Sequence, residues 1–238
     1  METHPYHRVL LKLSGEQLAG KFESGIDSEF GAWLAAEIKK VINDGKQVVI
    51  MVGGGNYARG AQLAGHGIQR VTADNIGMLA TLMNGLALAD ICNAHDLPAV
   101  VITNIKADQV ADQFTHRRAE SHLAKGRVVI VAGGIGRPYL TTDTAAVALA
   151  LELGCQVVLK ATKVNGVYNK DPANNNDAQK LNAISFQDAV ADDAIKVMDK
   201  AVLGLAMEHN LPIVVFNATE PDNIIKAVSG DSTGTTIS

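Results

Sequence analysis

Short aliphatic runs alternate with amphipathic stretches from one end of the chain to the other. Val9–Leu13, Val48–Val52, Ala99–Thr103, Val128–Ala132, Val157–Ala161 and Ile213–Phe216 are almost continuously Val, Leu, Ile and Ala, the pattern of strands buried on both faces. Between them, Ser28–Asp44, Asp74–His95, Ala119–Lys125, Thr144–Leu153, Lys196–Asn210 and Asp222–Val228 carry the three- and four-residue spacing of helices. Gly45, Gly126 and Gly154 each follow a helical stretch and precede a strand, where a glycine closes a helix. This alternation predicts an α/β protein, a three-layer α/β/α sandwich around a mostly parallel central sheet. The pattern contains no repeat, heptad or Pro/Ser linker and is expected to form a single domain over residues 1–238. Asn169–Asn182, with Asp171-Pro172-Ala173-Asn174-Asn175-Asn176-Asp177 at its centre, reads as a surface loop.

Composition adds constraints. Hydrophobic residues at 47% and charged residues at 19% exclude a disordered chain, and 4% aromatics leave the core to aliphatic side chains. A net charge of −4 gives no broad basic surface for nucleic acid or an anionic membrane, so an anionic ligand must be held by a local site. Cys92 and Cys155 form no metal-binding spacing and are expected to be buried thiols in a reducing compartment. Residues 1–7 lack the pattern of a signal peptide, and no apolar run approaches the roughly 18 to 20 residues of a membrane span. The expectation is a cytoplasmic protein with neither nucleic acid nor membrane as partner.

Three strands run into glycine- or hydroxyl-containing turns: Lys12-Leu13-Ser14-Gly15, Gly53-Gly54-Gly55-Asn56, and Gly133-Gly134-Ile135-Gly136-Arg137-Pro138. In an open α/β sheet ligands sit beyond the carboxyl ends of the strands, and glycine there lets backbone N–H groups approach an anion. One such turn only reverses a chain; three on one sheet edge suggest a cleft for phosphates. No GxxxxGK[ST], GxGxxG after the first strand, GxSxG or HExxH occurs, which leaves P-loop, dinucleotide, hydrolase and zincin readings unsupported. Lys12 stands near the end of a buried strand, where an ammonium is costly unless it meets an anion. Lys160 and Lys163 flank Thr162 after another strand. Asp143 falls at a helix start, where a capping role competes with a catalytic one. Asp74 and Asp199 read equally as exposed helix residues, and His116 and His122 as solvated side chains.

These motifs resemble a known family. Lys12-Leu13-Ser14-Gly15-Glu16, Gly53-Gly54-Gly55-Asn56 with Arg59-Gly60, and Thr141-Thr142-Asp143-Thr144-Ala145-Ala146 resemble the amino acid kinase superfamily. Asp74-Asn75-Ile76-Gly77-Met78-Leu79-Ala80-Thr81-Leu82-Met83-Asn84-Gly85 narrows the likeness to bacterial uridylate (UMP) kinases. So do Lys160-Ala161-Thr162-Lys163-Val164-Asn165-Gly166-Val167-Tyr168 with Asp171-Pro172, then Lys196-Val197-Met198-Asp199, then Gly234-Thr235-Thr236-Ile237. The likeness covers nearly the whole chain in the same order.

The resemblance implies in-line transfer of the ATP γ-phosphate to UMP, with Mg²⁺, in the pyrimidine nucleotide (UTP and CTP) supply. By that resemblance, Lys12, Leu13, Ser14 and Gly15 hold ATP phosphates together with Gly55 and Arg59. Thr162, Asn165, Tyr168 and Asp171 line the adenine and ribose pocket. UMP lies against Gly54, with Asp74 near its ribose, and Ile135, Gly136, Arg137, Pro138, Tyr139, Leu140, Thr141 and Thr142 enclose its uracil and phosphate. The N-terminal lobe then serves mainly the acceptor and the C-terminal lobe mainly ATP. Lys12, Asp143, Lys163 and Asp199 are the expected catalytic set, with one of Lys160 or Lys163 joining Lys12 at the phosphates, and no set of protein metal ligands is expected. The family assembles as a homohexamer, and faces such as Leu79–Leu88 suit such contacts. Ala89 and Asn93 stand where GTP-responsive members carry Arg and His, and Ile105–Arg118 diverges. The resemblance therefore does not carry GTP activation over, and UTP stays open as an inhibitor. Two other readings stay open: a phosphotransferase of the same family with another acceptor, and a UMP- or UTP-binding regulator without turnover. Asp74–Gly85 argues against the first, and Lys12, Asp143 and Lys163 against the second.

Overall fold

The structure, a computed structural model, describes residues 6–58, 63, 67–170, 174–175, 177–192, 195, 197–231 and 233–238. Its strands are β1 (Arg8–Leu13), β2 (Gln47–Val52), β3 (Ala99–Thr103), β4 (Asp112–Gln113), β5 (Val128–Ala132), β6 (Val157–Thr162), β7 (Ala183–Ile184), β8 (Ile213–Asn217) and β9 (Gly234–Ile237). They form one nine-stranded sheet in the order β4-β3-β5-β2-β1-β6-β8-β9-β7. Every pairing is parallel except β8 with β9. The six aliphatic runs of the sequence are the six longer parallel strands, within a residue at each end. β9 was invisible as a strand because Gly-Thr-Thr-Ile has little apolar signal; its Thr235 is nevertheless fully buried beside β8.

The helices are α1 (Gly15–Leu18), α2 (Ser28–Asn43), α3 (Arg70–Ala94), α4 (His116–Leu123), α5 (Thr142–Glu152), α6 (Phe186–Ala191), α7 (Lys200–Glu208) and α8 (Asn223–Ser229). Strand side chains alternate between two apolar clusters. Val9, Leu11 and Leu13 of β1, with Val157, Leu159 and Ala161 of β6, pack with α2, α3 and α8. Leu10 and Val158 pack on the other side, with α4, α5, α6 and α7. The three predicted layers are therefore present, with one core on each face of the sheet. The predicted helix Lys196–Asn210 is shorter than expected: Lys196 lies outside the described residues, and α7 begins only after Asp199. Asn169–Asn182 is partly described, with 171–173 and 176 outside the described residues. Its arms meet through an antiparallel bridge between Tyr168 and Lys180, and Asn169 N–H donates to Gln179 O at 3.0 Å.

α3 starts four residues earlier than the periodicity predicts and, with its polar residues spaced along it, is long and apolar enough to span a bilayer by length and composition. Half of its apolar window is buried within the protein, against β3, β5 and α2. Gly85 lets the helix lie close to the sheet: a Cβ there would come within 3.3 Å of Ala132 Cβ and 3.5 Å of Val101 Cγ1. Leucine at 85 should push the helix off the sheet and cost on the order of 1–3 kcal/mol, read as a lower urea midpoint for Gly85→Leu.

Candidate active site

Strand alternation decides which lysines can meet. Lys12 shares a face with Leu10, and Lys160 with Val158, so both point to the α5 side of the sheet. They are also direct partners in the β1–β6 ladder. Two ammonium groups placed side by side over a sheet repel unless an anion lies between them. Asp143 fills that position from the first turn of α5, where the helix N-terminus also favours a carboxylate. Its Oδ1 lies 2.8 Å from Lys12 Nζ and its Oδ2 2.7 Å from Lys160 Nζ. The Lys12 contact is an ion pair without hydrogen-bond alignment, because Oδ1 accepts no well-angled bond. Lys160 also donates to Val197 O.

Burial by itself would raise the Asp143 carboxyl, but Lys12 and Lys160 together outweigh it and hold Asp143 below the usual carboxylate range. Burial pulls Lys160 below the ordinary lysine value; Asp143 opposes this only in part, and Lys12 adds to it. The trio carries one net positive charge, little exposed to water. Thr141, rather than Asp143, caps α5, accepting from Thr144 N–H, and its hydroxyl donates to Asp199 Oδ2 at 2.8 Å. Thr141 thereby ties the start of α5 to the start of α7.

The glycine turns leave the sheet at the carboxyl edge where this trio stands. Ser14 caps α1 through a reciprocal bond with Gln17, turning the chain at the end of β1. Gly15 then lies so close to the second turn that a Cβ would stand 2.8 Å from both Gly53 O and Gly55 N. The N–H groups of Gly15, Gly54 and Gly55 have no acceptor among the described residues. Donors left open at adjoining turns suit an anion that accepts from several at once. The second turn is held from beneath by α3. Asn84, fully buried, donates to Gly53 O and to Asn56 Oδ1, both at 2.7 Å, and accepts from Asn56 at 2.9 Å. Neither asparagine stood out in the sequence as more than a helix or turn residue.

The third turn depends on glycine at 133 and 136, whose φ values of +81° and +73° bring the chain against Thr103, Ile105 and Asn104. Thr81 of α3 accepts from Gly133 N–H at 2.7 Å, and Asn104 donates to Gly134 O at 2.6 Å. Beyond it Arg137, Tyr139 and Leu140 are exposed, and Ile135, Pro138 and Thr142 partly so. Arg137 has no carboxylate partner among the described residues. Asp74, one turn into α3, accepts from Tyr139 N–H at 2.8 Å and pairs with Arg70.

At the other end, the Thr162 hydroxyl lies 2.7 Å from Val164 O and 2.9 Å from Phe216 O, and Asn165 accepts from Asn217 at 3.2 Å. Tyr168 is half-buried beside them in sequence. Arg59 and Asp171 lie outside the described residues. Lys163 has the parity of Ala161, not of Lys160. It lines a separate cavity of about 420 Å³ with Gln17, Phe30, Trp33 and Thr219, on the α2 side. The structure thus brings Lys12, Asp143 and Lys160 together, links Asp199 through Thr141, and leaves Lys163 without contact to this group.

A cavity of about 570 Å³ opens on Asp143, Lys160, Met198 and Asp199. A larger one, about 920 Å³, lies at the β7 edge around Ile184, Ser185 and Asp188 and includes none of the described candidate residues, so size alone does not mark the site. Cys92 and Cys155 are both free and buried, on opposite faces of the sheet, and burial pushes each thiol up to about 12. His122 is held below its ordinary value by burial and then by Arg127.

Glycine turns on a parallel sheet edge, with two lysines bridged by an aspartate, define a phosphotransferase site, and the match to known proteins agrees. Residues 7–217 match the amino acid kinase family, and the chain belongs to it. Among solved structures it is similar to a UMP kinase of Bacillus anthracis, with 38% identity and a TM-score of 0.94 over 98% of this chain and 96% of that one. It is similar to a UMP kinase of Ureaplasma parvum at 33% identity and a TM-score of 0.91, covering 99% and 100%. A uridylate kinase of Archaeoglobus fulgidus follows at 28% and 0.75, covering 97% and 99%.

Removing the shared carboxylate should expose the strain of the paired lysines. Asp143→Ala is expected to lose roughly 3–5 kcal/mol in urea unfolding, with part of the loss recovered when Lys160→Met is added.

Proposed function

We propose that the protein is an ATP:UMP phosphotransferase that makes UDP and ADP. The observation that carries the chemistry is the Lys12–Asp143–Lys160 group at the carboxyl edge of the sheet, the edge that also carries the open N–H donors of Gly15, Gly54 and Gly55. The likeness to UMP kinases over the full length of the chain supports the acceptor.

Two phosphate-bearing substrates brought end to end repel, so the protein's task is to position them and neutralise their charge. A phosphate oxygen of UMP attacks the γ-phosphorus, and the bond to the β–γ bridging oxygen breaks, releasing ADP. The nucleophile is already an anion, so no side chain has to remove a proton. Lys12, Ser14, Gly15 and Gly55, with Arg59, hold the ATP phosphates, while Thr162, Asn165, Tyr168 and Asp171 receive its nucleoside. UMP lies along Gly54, Asp74 and the 135–142 segment, where the unpaired Arg137 suits the acceptor phosphate. Lys12 and Lys160 face the phosphoryl group in flight, with Asp143 keeping them apart and charged. In this reading Lys160, rather than Lys163, partners Lys12.

The donor set fits a metal that arrives on the nucleotide. Asp199, which lines the cavity with Asp143 and Lys160, is the carboxylate that would meet such a metal. Mg²⁺, when bound, neutralises charge on the phosphates. We further infer a cytoplasmic homohexamer serving UTP and CTP synthesis, with UTP as the candidate inhibitor. Self-association is supported by Leu79 and Met83, exposed one turn apart on α3.

A coupled assay of ADP release with Mg-ATP tests the acceptor: turnover should be confined largely to UMP within a panel of UMP, CMP, AMP, acetylglutamate and carbamate. Lys12→Ala is expected to lower kcat by roughly 10³-fold in a folded protein, and near-normal turnover would remove Lys12 from the chemistry. Since Lys160 titrates below the ordinary lysine value and must be charged to act, the alkaline limb of kcat should fall early. Asp143→Asn removes the group that raises Lys160 and should move that limb to still lower pH, read from pH–rate profiles.

A further inference from the structure

Arg70 opens α3, and Asp74 lies one turn on. Arg70 Nε stands 2.9 Å from both Asp74 oxygens, and Tyr139 N–H donates to Oδ2 at 2.8 Å. The Arg70 guanidinium also lies 5.2 Å from the centre of the Tyr139 ring. Tyr139 has φ of +69°, a conformation that a bulky residue adopts only where its surroundings impose it. Asp74 and Arg70 impose it together, one taking the backbone N–H and the other the ring face. The ring is nonetheless 64% exposed, and Leu140 beside it 49%. A strained backbone that holds large side chains out into water at the acceptor turn builds a wall for something that is not part of the chain.

A carboxylate offers about four acceptor positions. The single Nε–H of Arg70 is shared between the two oxygens and Tyr139 N–H adds a second contact to Oδ2, so among the described residues Oδ1 is the oxygen left with room for another donor. We propose that Arg70 is a positioning residue for the acceptor nucleoside. It locks Asp74 so that Oδ1 accepts from one ribose hydroxyl, and it holds the Tyr139 ring as the adjoining wall. The inference rests on the reading that places the UMP ribose at Asp74. A locked carboxylate discriminates, because an acceptor lacking that hydroxyl leaves Oδ1 unpaired. A carboxylate free to turn finds another hydroxyl or water instead.

The test measures KM for UMP, dUMP and 3′-deoxy-UMP in the wild type, Arg70→Ala and Arg70→Lys. The wild type should discriminate against one of the two deoxy acceptors by about tenfold or more. Arg70→Ala should raise KM for UMP about tenfold, leave KM for ATP within about twofold, and collapse the deoxy discrimination. Arg70→Lys keeps a cation near the ring but not the contact to both oxygens, and should fall between. The Arg70 side chain is 45% exposed in the first turn of the helix, so neither variant opens the core. Equal KM for all three acceptors in the wild type would take Asp74 away from the ribose and sink the underlying reading. Discrimination in the wild type that both Arg70 variants retain would overturn the positioning role and leave that reading standing. A uniform fall in kcat with unchanged ratios, the mark of structural damage alone, would overturn it too.

Discussion

Parallel register between β1 and β6 is the constraint on which the site depends. It places Lys12 and Lys160 opposite one another on one face of a buried sheet, an arrangement that cannot stand without a counter-ion. Asp143 supplies it from the first turn of α5, and much else follows from that need. The helix must begin at a fixed height above the sheet, so Thr141 caps it and Thr141 in turn fixes Asp199. The result is a positive field kept ready rather than assembled when phosphates arrive, which is what transfer between two anions demands.

α3 is the second organising element. Its inner face carries Thr81 and Asn84, which hold the turns after β5 and β2 respectively, and Asp74 at its start reaches the segment beyond the β5 turn. One rigid rod thus sets the spacing between the turn proposed for the donor phosphates and the turns proposed for the acceptor. Gly85 lets the rod lie close enough to the sheet to do so.

How much of this was legible in the sequence follows from the range of each interaction. The six aliphatic runs and the glycine stops are local signals, and they locate the six longer parallel strands and most helices to within a few residues, but not the two-residue strands β4 and β7. Lys12 stands out because a charge beside an apolar run is locally anomalous, whereas Asp143 reads locally as a capping residue and enters the expected catalytic set through the family motif Thr141–Ala146. That Lys160 stands opposite Lys12 follows from the register of β6 with β1, a contact across about 150 residues that no local pattern carries. Asn56 and Asn84 were opaque for the same reason: each looks like an ordinary turn or helix residue until its partner is brought beside it. β9 is hidden by its own composition, since Ile237 is its one core side chain and the burial of Gly234 and Thr235 comes from pairing with β8.

The two thiols lie on opposite faces of the sheet, Cys92 in the core under α3 and Cys155 in the core beside α5. Burial pushes each thiol up to about 12, which keeps both protonated at neutral pH and shields them from thiol reagents in the native fold. Either sulfur becomes reactive only when its own layer lifts from the sheet. Alkylation rates at the two positions are therefore separate clocks for the opening of the two halves of the sandwich, built into the chain without any label.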